Sequence, residues 1–205
     1  ATLHPPTPLS MAHGKRASAL NAGNSGAVLM TAGTSIALSL IEAGGNVTLT
    51  ATAGSITDNL TGDTPNVDGD TAVLRLSAAT GVGTGLAALQ TRVAQLSASN
   101  TTSGGVFVKE ATGLRLTTSG SQSVDVAGTG GLISIETLNG ALVVEGSVRS
   151  TGTVGNIRLR SGETVEGTAA TLDLRSDVTS AAGNISLSSG GGIVASSGGK
   201  GQTTL

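Results

Sequence analysis

The chain has 205 residues, a net charge of −2, 32 glycines, a single phenylalanine, and no tryptophan, tyrosine or cysteine. The balanced charge offers no basic surface for a nucleic-acid backbone, and the scarcity of rings removes the stacking platforms of single-strand binders. No apolar run approaches the roughly 20 residues of a membrane-spanning helix, and a chain without cysteine has neither disulfides nor thiolate metal sites. We therefore expect no nucleic-acid partner and no membrane span.

Residues 1–25 are predicted to form an extended N-terminal arm or linker. Three of the four prolines lie within residues 4–8, and proline-rich segments favour extended, semi-rigid conformations. His4 and His13 fall in this arm without neighbouring carboxylates, so we expect no metal site there. The remaining residues, 26–205, are predicted to form one repeat domain.

Short runs of alternating aliphatic and polar residues fill the chain from residue 26 onward, separated by clusters of Gly, Ser, Asn and Asp. This pattern predicts strands and turns. Strand centres step by 20 residues from Leu76 to Leu96 and by 28 from Leu159 to Leu187. Tight hairpin dipeptides are rare. The pattern favours an all-β parallel β-helix, or β-solenoid, with irregular coils of about 20–28 residues, and an antiparallel sandwich is the alternative.

Three near-copies of the pentapeptide Gly-Asn-Val/Ile-x-Leu place Asn46, Asn156 and Asn184 at the starts of predicted strands. Asparagine tolerates the left-handed conformation and hydrogen-bonds within its own turn, and stacked amides form ladders between coils. We predict a structural turn or ladder role for these three residues. The alternative is glycosylation, because Asn46 and Asn184 lie in Asn-x-Ser/Thr tripeptides.

The densest acidic stretch contains Asp58, Asp63, Asp68 and Asp70. Carboxylate oxygens are calcium ligands, but this stretch does not match the twelve-residue calcium loop. We interpret it as a solvated loop rich in turn-forming residues, with calcium binding as the alternative.

One segment shows helical rather than strand periodicity. Leu86, Leu89, Val93 and Leu96 recur at steps of three, four and three, which indicates a short helix near residues 86–96. The alternative is a coil whose turns happen to mimic that spacing.

Phe107 is the single aromatic residue of the chain. If Val106 and Val108 face inward, strand alternation points Phe107 outward. Either a loop or a neighbouring coil covers the ring, or Phe107 is a contact point for another subunit or domain.

The segment 103–110, Ser-Gly-Gly-Val-Phe-Val-Lys-Glu, together with Leu-Arg-Leu at 114–116 and the Gly-Asn openings, resembles the repeats of filamentous-haemagglutinin-type bacterial proteins. Similar repeats extend over most of residues 26–200. The resemblance implies a right-handed parallel β-helix that serves as an adhesin or extracellular fibre. It also implies an extracellular or cell-surface location, with a host-cell or matrix glycan or protein as partner.

Parallel β-helices include polysaccharide lyases and hydrolases, whose sites need two carboxyl groups roughly 5–10 Å apart. No Ser-His-Asp arrangement is evident here, and no cofactor is expected. We predict a non-catalytic rod that associates end to end, through its arm, or with neighbouring repeats of a longer chain. The alternative is a carbohydrate-active β-helix.

Overall fold

The computed structural model describes residues 9–10, 19–118, 122–164 and 170–196. These residues form strands that pair in parallel and stack as a β-solenoid of about 7 turns, and they contain no helix. The predicted all-β parallel β-helix is therefore confirmed. Its right-handed sense stays a prediction.

The described residues contain twenty strands. In chain order they are β1 Leu9–Ser10, β2 Leu20–Gly23, β3 Val28–Ala32, β4 Ile36–Leu38, β5 Ile41–Ala43, β6 Val47–Ala51, β7 Ile56–Asp58, β8 Val67–Ala78, β9 Leu89–Asn100, β10 Val106–Glu110, β11 Leu114–Leu116, β12 Gln122–Val126, β13 Ile133–Thr137, β14 Leu142–Val144, β15 Ser147–Ser150, β16 Ile157–Ser161, β17 Thr171–Leu174, β18 Val178–Ser180, β19 Ile185–Ser189 and β20 Gly192–Ala195.

Each coil contributes to three faces, which follow one another along the chain as A, B and C. Face A contains β1, β3, β6, the end of β8, the end of β9, β12, β15 and β18. Face B contains β4, β7, the start of β9, β10, β13, β16 and β19. Face C contains β2, β5, the start of β8, the middle of β9, β11, β14, β17 and β20.

Columns of aliphatic side chains fill the narrow interior. On face A, Val47 pairs with Val28 on one side and with Leu74 on the other, and all three are buried. Burying such a side chain contributes about 1.5–3 kcal/mol. The buried inward residues determine which residues of neighbouring strands pair. Coils of different length therefore differ in the lengths of their turns. Val28 and Val47 lie 19 residues apart, whereas Val148 and Val178 lie 30 apart, a wider range than the predicted 20–28.

The helix suggested for residues 86–96 is wrong, because this segment leads into and forms most of strand β9. Leu86 is exposed at a loop tip, while Leu89, Val93 and Leu96 face the core. The strand bends around a corner after Val93, where two successive residues face outward. That phase shift produces the three-residue step from Val93 to Leu96, which resembles helical spacing.

Part of the predicted N-terminal arm lies in the solenoid. Strand β1 pairs with β3, and β2 pairs with β5, so coil pairing begins before residue 26. Residues 1–8 and 11–18 of the predicted arm, including His4 and His13, lie outside the described residues.

At the corner between faces C and A, the backbone of the preceding coil lies so close to Gly44 that a larger residue does not fit there. A Cβ at this position would lie 1.8 Å from the carbonyl oxygen of Asn24, whereas a Cβ at Gly33 would meet nothing within 4 Å. We expect Gly44→Ala to lower the free energy of unfolding by about 1–3 kcal/mol, and Gly33→Ala to change it by less than about 0.5 kcal/mol. Urea unfolding measures both. Equal stabilities of the two variants would contradict the packing at this corner.

Candidate functional site

The three asparagines of the repeated pentapeptide occupy two different faces. Asn156 and Asn184 precede face B strands, and the Asn184 backbone N–H donates to Oδ1 of Asn156 at 2.8 Å. Asn46 precedes a face A strand, and its carbonyl accepts from the N–H of Val28 at 2.8 Å. The structure thus brings Asn156 and Asn184 together in neighbouring coils and leaves Asn46 apart from them.

Face B is interrupted by an extruded loop. Val82 pairs with Val106, and Leu89 pairs with Val108. Val106 and Val108 are two residues apart in β10, whereas their partners on the preceding coil are seven residues apart. Residues 83–88 therefore bulge outward, and we call them the face B loop.

Phe107 lies outward between two buried valines, as alternation predicts, and is half-buried. The face B loop covers part of it. A Cβ at Gly85 would lie 3.6 Å from Cε1 of the Phe107 ring. The ring therefore packs against the loop and keeps part of its surface exposed.

Two carboxylates of the acidic stretch are held by a cation of the next coil. Asp68 accepts from Nε of Arg92 at 2.8 Å, and Asp70 lies 3.6 Å from the same nitrogen. The described residues contain no group of three or more His, Asp or Glu side chains that could hold a metal ion.

Asn66 is a buried polar side chain that the sequence analysis missed. Its Nδ2 donates to Oδ1 of Asp58 at 2.6 Å and to the carbonyls of Leu38 and Ser39, both at 3.2 Å. Its Oδ1 accepts from the N–H of Gln90 at 2.9 Å. Asn66 therefore ties three successive coils together at the corner between faces B and C. No periodic signal marks it, because it lies at the end of an irregular loop.

Glu110 is a second missed residue, fully buried where β10 ends. One carboxylate oxygen accepts from Oγ1 of Thr91 at 2.8 Å and from the N–H of Val93 at 3.0 Å. The other accepts from the N–H of Thr112 at 3.1 Å and from its hydroxyl at 2.9 Å. Burial raises the pKa of Glu110, and these hydrogen bonds oppose that rise. Alternation through Val106 and Val108 would have identified Glu110 as inward-facing.

Glu110 belongs to a column of polar inward residues at the corner between faces B and C. The hydroxyl of Thr137 donates to the carbonyl of Gly140 at 2.7 Å, and that of Ser161 donates to the carbonyl of Ala170 at 2.8 Å. These side chains satisfy the backbone groups that the turn leaves without strand partners. The column consists of Thr91, Glu110, Thr137, Ser161 and Ser189.

Carboxylates also line a groove of about 630 Å³ at the corner between faces C and A. Glu42 accepts from Nδ2 of Asn21 at 2.6 Å, and Asp68 is bound by Arg92. Both acids therefore bind side chains of neighbouring coils.

No other described strand pairs with the outer side of the last described coil, which we call the C-terminal edge. It consists of β18, β19 and β20, and none of these strands carries a charged residue. Ile185 and Ile193 occupy inward columns but are 44% and 50% exposed, whereas Ile157, one coil earlier, is 1% exposed. Exposed strand edges without charges are templates for pairing with another chain.

No family model, curated protein or solved structure matches this chain. Across the ranges that the structure describes, no helix is long and apolar enough to cross a membrane.

Proposed function

We propose that this chain is a non-catalytic structural repeat segment of an extracellular bacterial adhesin or fibre, which forms a rigid rod and stacks end to end. The observation that carries the proposal is the C-terminal edge, whose inward aliphatic columns are exposed and whose strands carry no charge. The extracellular adhesin role is supported by the resemblance of segment 103–116 and the Gly-Asn openings to haemagglutinin-type repeats.

Rigidity follows from the way in which the coils pair. Coils rise about 4.8 Å each, so seven turns extend about 34 Å along the axis. Each strand in the middle of the rod is hydrogen-bonded to a coil on both sides. Stability is then a sum over neighbouring coils, and added copies lengthen the rod without new kinds of contact.

Stacking in one orientation continues the interior columns from copy to copy. Among the described residues, face C runs from Leu20 to Ile193 and face B from Ile36 to Ile185. Strands β2 and β4 at the N-terminal side are uncharged, like those of the C-terminal edge. Ile36 is buried within its own copy, so the apolar contact is made by exposed Ile193 on half-buried Leu20, and the uncharged strands introduce no like-charge repulsion.

We expect Ile193→Lys to abolish end-on growth, because a charge at an inward edge position opposes strand addition. Ile193 is half exposed, so the isolated solenoid should tolerate the change. Thr50→Lys, on the outer surface of β6, is the control with the same added charge. Sedimentation velocity over a concentration series should show growing species for the wild type and for Thr50→Lys only. A wild type that stays monomeric at millimolar concentration would contradict the proposal.

A further inference from the structure

We propose that the face B loop is a processing site, at which an endopeptidase that accepts leucine before the scissile bond cuts the chain between Leu86 and Ala87. The two parts then stay docked as one rod. This modification goes beyond the proposed structural role and uses no residue of the C-terminal edge. The exposure of the loop, its backbone hydrogen bonds and the strands on either side of it support the proposal.

Leu86 is the most exposed leucine among the described residues. Its side chain is fully exposed at the loop tip, and Leu29, at 51%, is the other described leucine that is more than half exposed. Exposed loop tips with small residues are preferred sites of proteolytic cleavage. Gly85 precedes Leu86 and two alanines follow it, so the side chains next to the scissile bond are small.

The two exposed leucines differ in how their backbone is held. In the face B loop, the N–H of Thr84 donates to the Ala87 carbonyl at 2.8 Å, and the N–H of Ala87 donates to Oγ1 of Thr84 at 3.0 Å. No backbone group of Leu86 hydrogen-bonds to another described residue. Leu29 lies in β3, which pairs with β6 along its whole length. Proteases act on locally opened segments, and opening the loop breaks one turn, whereas opening β3 breaks the sheet.

The two parts of a chain that is cut at this bond remain paired. Strand β8 lies before the cut and β9 after it, and residues 67–69 and 73–78 of β8 pair with β9. Arg92 also binds Asp68 across the same boundary, with 2.8 Å between Nε and Oδ1. The cut removes no strand from the solenoid, so we expect the nicked rod to keep its coils.

Hydrolysis adds one water across the bond and leaves a carboxylate on Leu86 and an ammonium group on Ala87. Ala87 lines a cleft of about 200 Å³ between the face B loop and the loop 59–66, and the charged residues that line it are Asp58, Asp63 and Lys109. The new ammonium group therefore forms beside more negative than positive charge. Attraction between opposite charges then favours a cut end that stays in place.

Chymotrypsin is an informative probe for this chain. It cuts after large apolar residues, and the chain has no tryptophan or tyrosine and a single phenylalanine. We expect limited digestion of the folded full chain to cut after Leu86 at least about tenfold faster than after Leu29. Mass spectrometry should identify one fragment that ends at Leu86 and one that begins at Ala87. Native size-exclusion chromatography should show the two fragments eluting together.

Leu86→Asp should abolish this cut, and Leu29→Asp, the matched control on an exposed strand position, should leave its rate unchanged. Circular dichroism checks that both variants keep their strands. Cleavage after Leu29 as fast as after Leu86, no cleavage after Leu86 in the folded chain, or fragments that separate on native chromatography would each overturn the processing site. Digestion of Ile193→Lys in parallel should give the same result, so end-on stacking fails or succeeds separately.

Discussion

Glu110→Ala is expected to lower the free energy of unfolding by roughly 2–4 kcal/mol, measured by urea denaturation. The substitution removes the acceptor for the backbone N–H groups of Val93 and Thr112 and for the hydroxyl of Thr91, all at a buried corner. Unpaired buried donors keep their full desolvation cost, which is about 1–3 kcal/mol each before relaxation.

Glu136→Ala provides the matched control for this prediction. Glu136 lies on the outer surface of the next face B strand and pairs with Arg160. The Arg160 side chain is 46% exposed, and an ion pair at such a surface position contributes about 0–1 kcal/mol. Equal destabilisation by the two substitutions would show that the buried carboxylate does not hold the corner.

The pH dependence of the Glu110 contribution has a definite sign. Its pKa is raised in the folded state by burial, so its contribution is fully present below the unfolded-state value, near 4.5, and is lost as pH rises through the higher folded value. The stability advantage of the wild type over Glu110→Gln should therefore be larger at about pH 4 than at pH 7. An advantage that grows as pH rises would mean that the four hydrogen bonds outweigh desolvation.

Asn66→Ala is expected to cost a similar amount, roughly 2–4 kcal/mol. It leaves the carbonyls of Leu38 and Ser39, the Asp58 carboxylate and the N–H of Gln90 without their buried partner. Because these groups belong to three successive coils, we also expect faster amide exchange at Gln90.

Asn59→Ala is the control for Asn66. Asn59 is half-buried in the same loop, and its side chain donates a hydrogen bond to Oγ of Ser39 at 3.2 Å. We expect its loss to cost less than about 1 kcal/mol. If Asn59→Ala destabilised the protein as much as Asn66→Ala, the loop as a whole, rather than Asn66, would link the coils.

Strands and the parallel coil were predictable because inward positions alternate with outward ones wherever a strand is straight. Val106 and Val108 show this, and the same alternation would have assigned Glu110 to the interior. Corners were not predictable, because a bend shifts the phase by one residue, as between Val93 and Leu96 in β9. Local patterns also cannot tell which face a strand joins.

The asparagines of the repeated pentapeptide illustrate that limit. Asn46 and Asn156 share the same Gly-Asn-Val/Ile-x-Leu pattern but precede strands of faces A and B, respectively. The exposure of the C-terminal edge was harder to predict still. Ile185 and Leu187 have the same alternation as Ile157 and Leu159, and only the stacking order shows that Ile185 has become exposed. Loop contacts such as those of Asn66 depend on which residues of neighbouring coils lie side by side. The sequence around Asn66 does not show this.

Negative-stain electron microscopy of the purified chain over a concentration series, with fibre diffraction of the concentrated sample, tests the structural role most directly. We expect filaments that lengthen with concentration, with a reflection near 4.8 Å along the filament axis, and no such filaments for Ile193→Lys. Separate short particles at every concentration, or filaments whose strands run along the axis, would contradict end-on stacking of the solenoid.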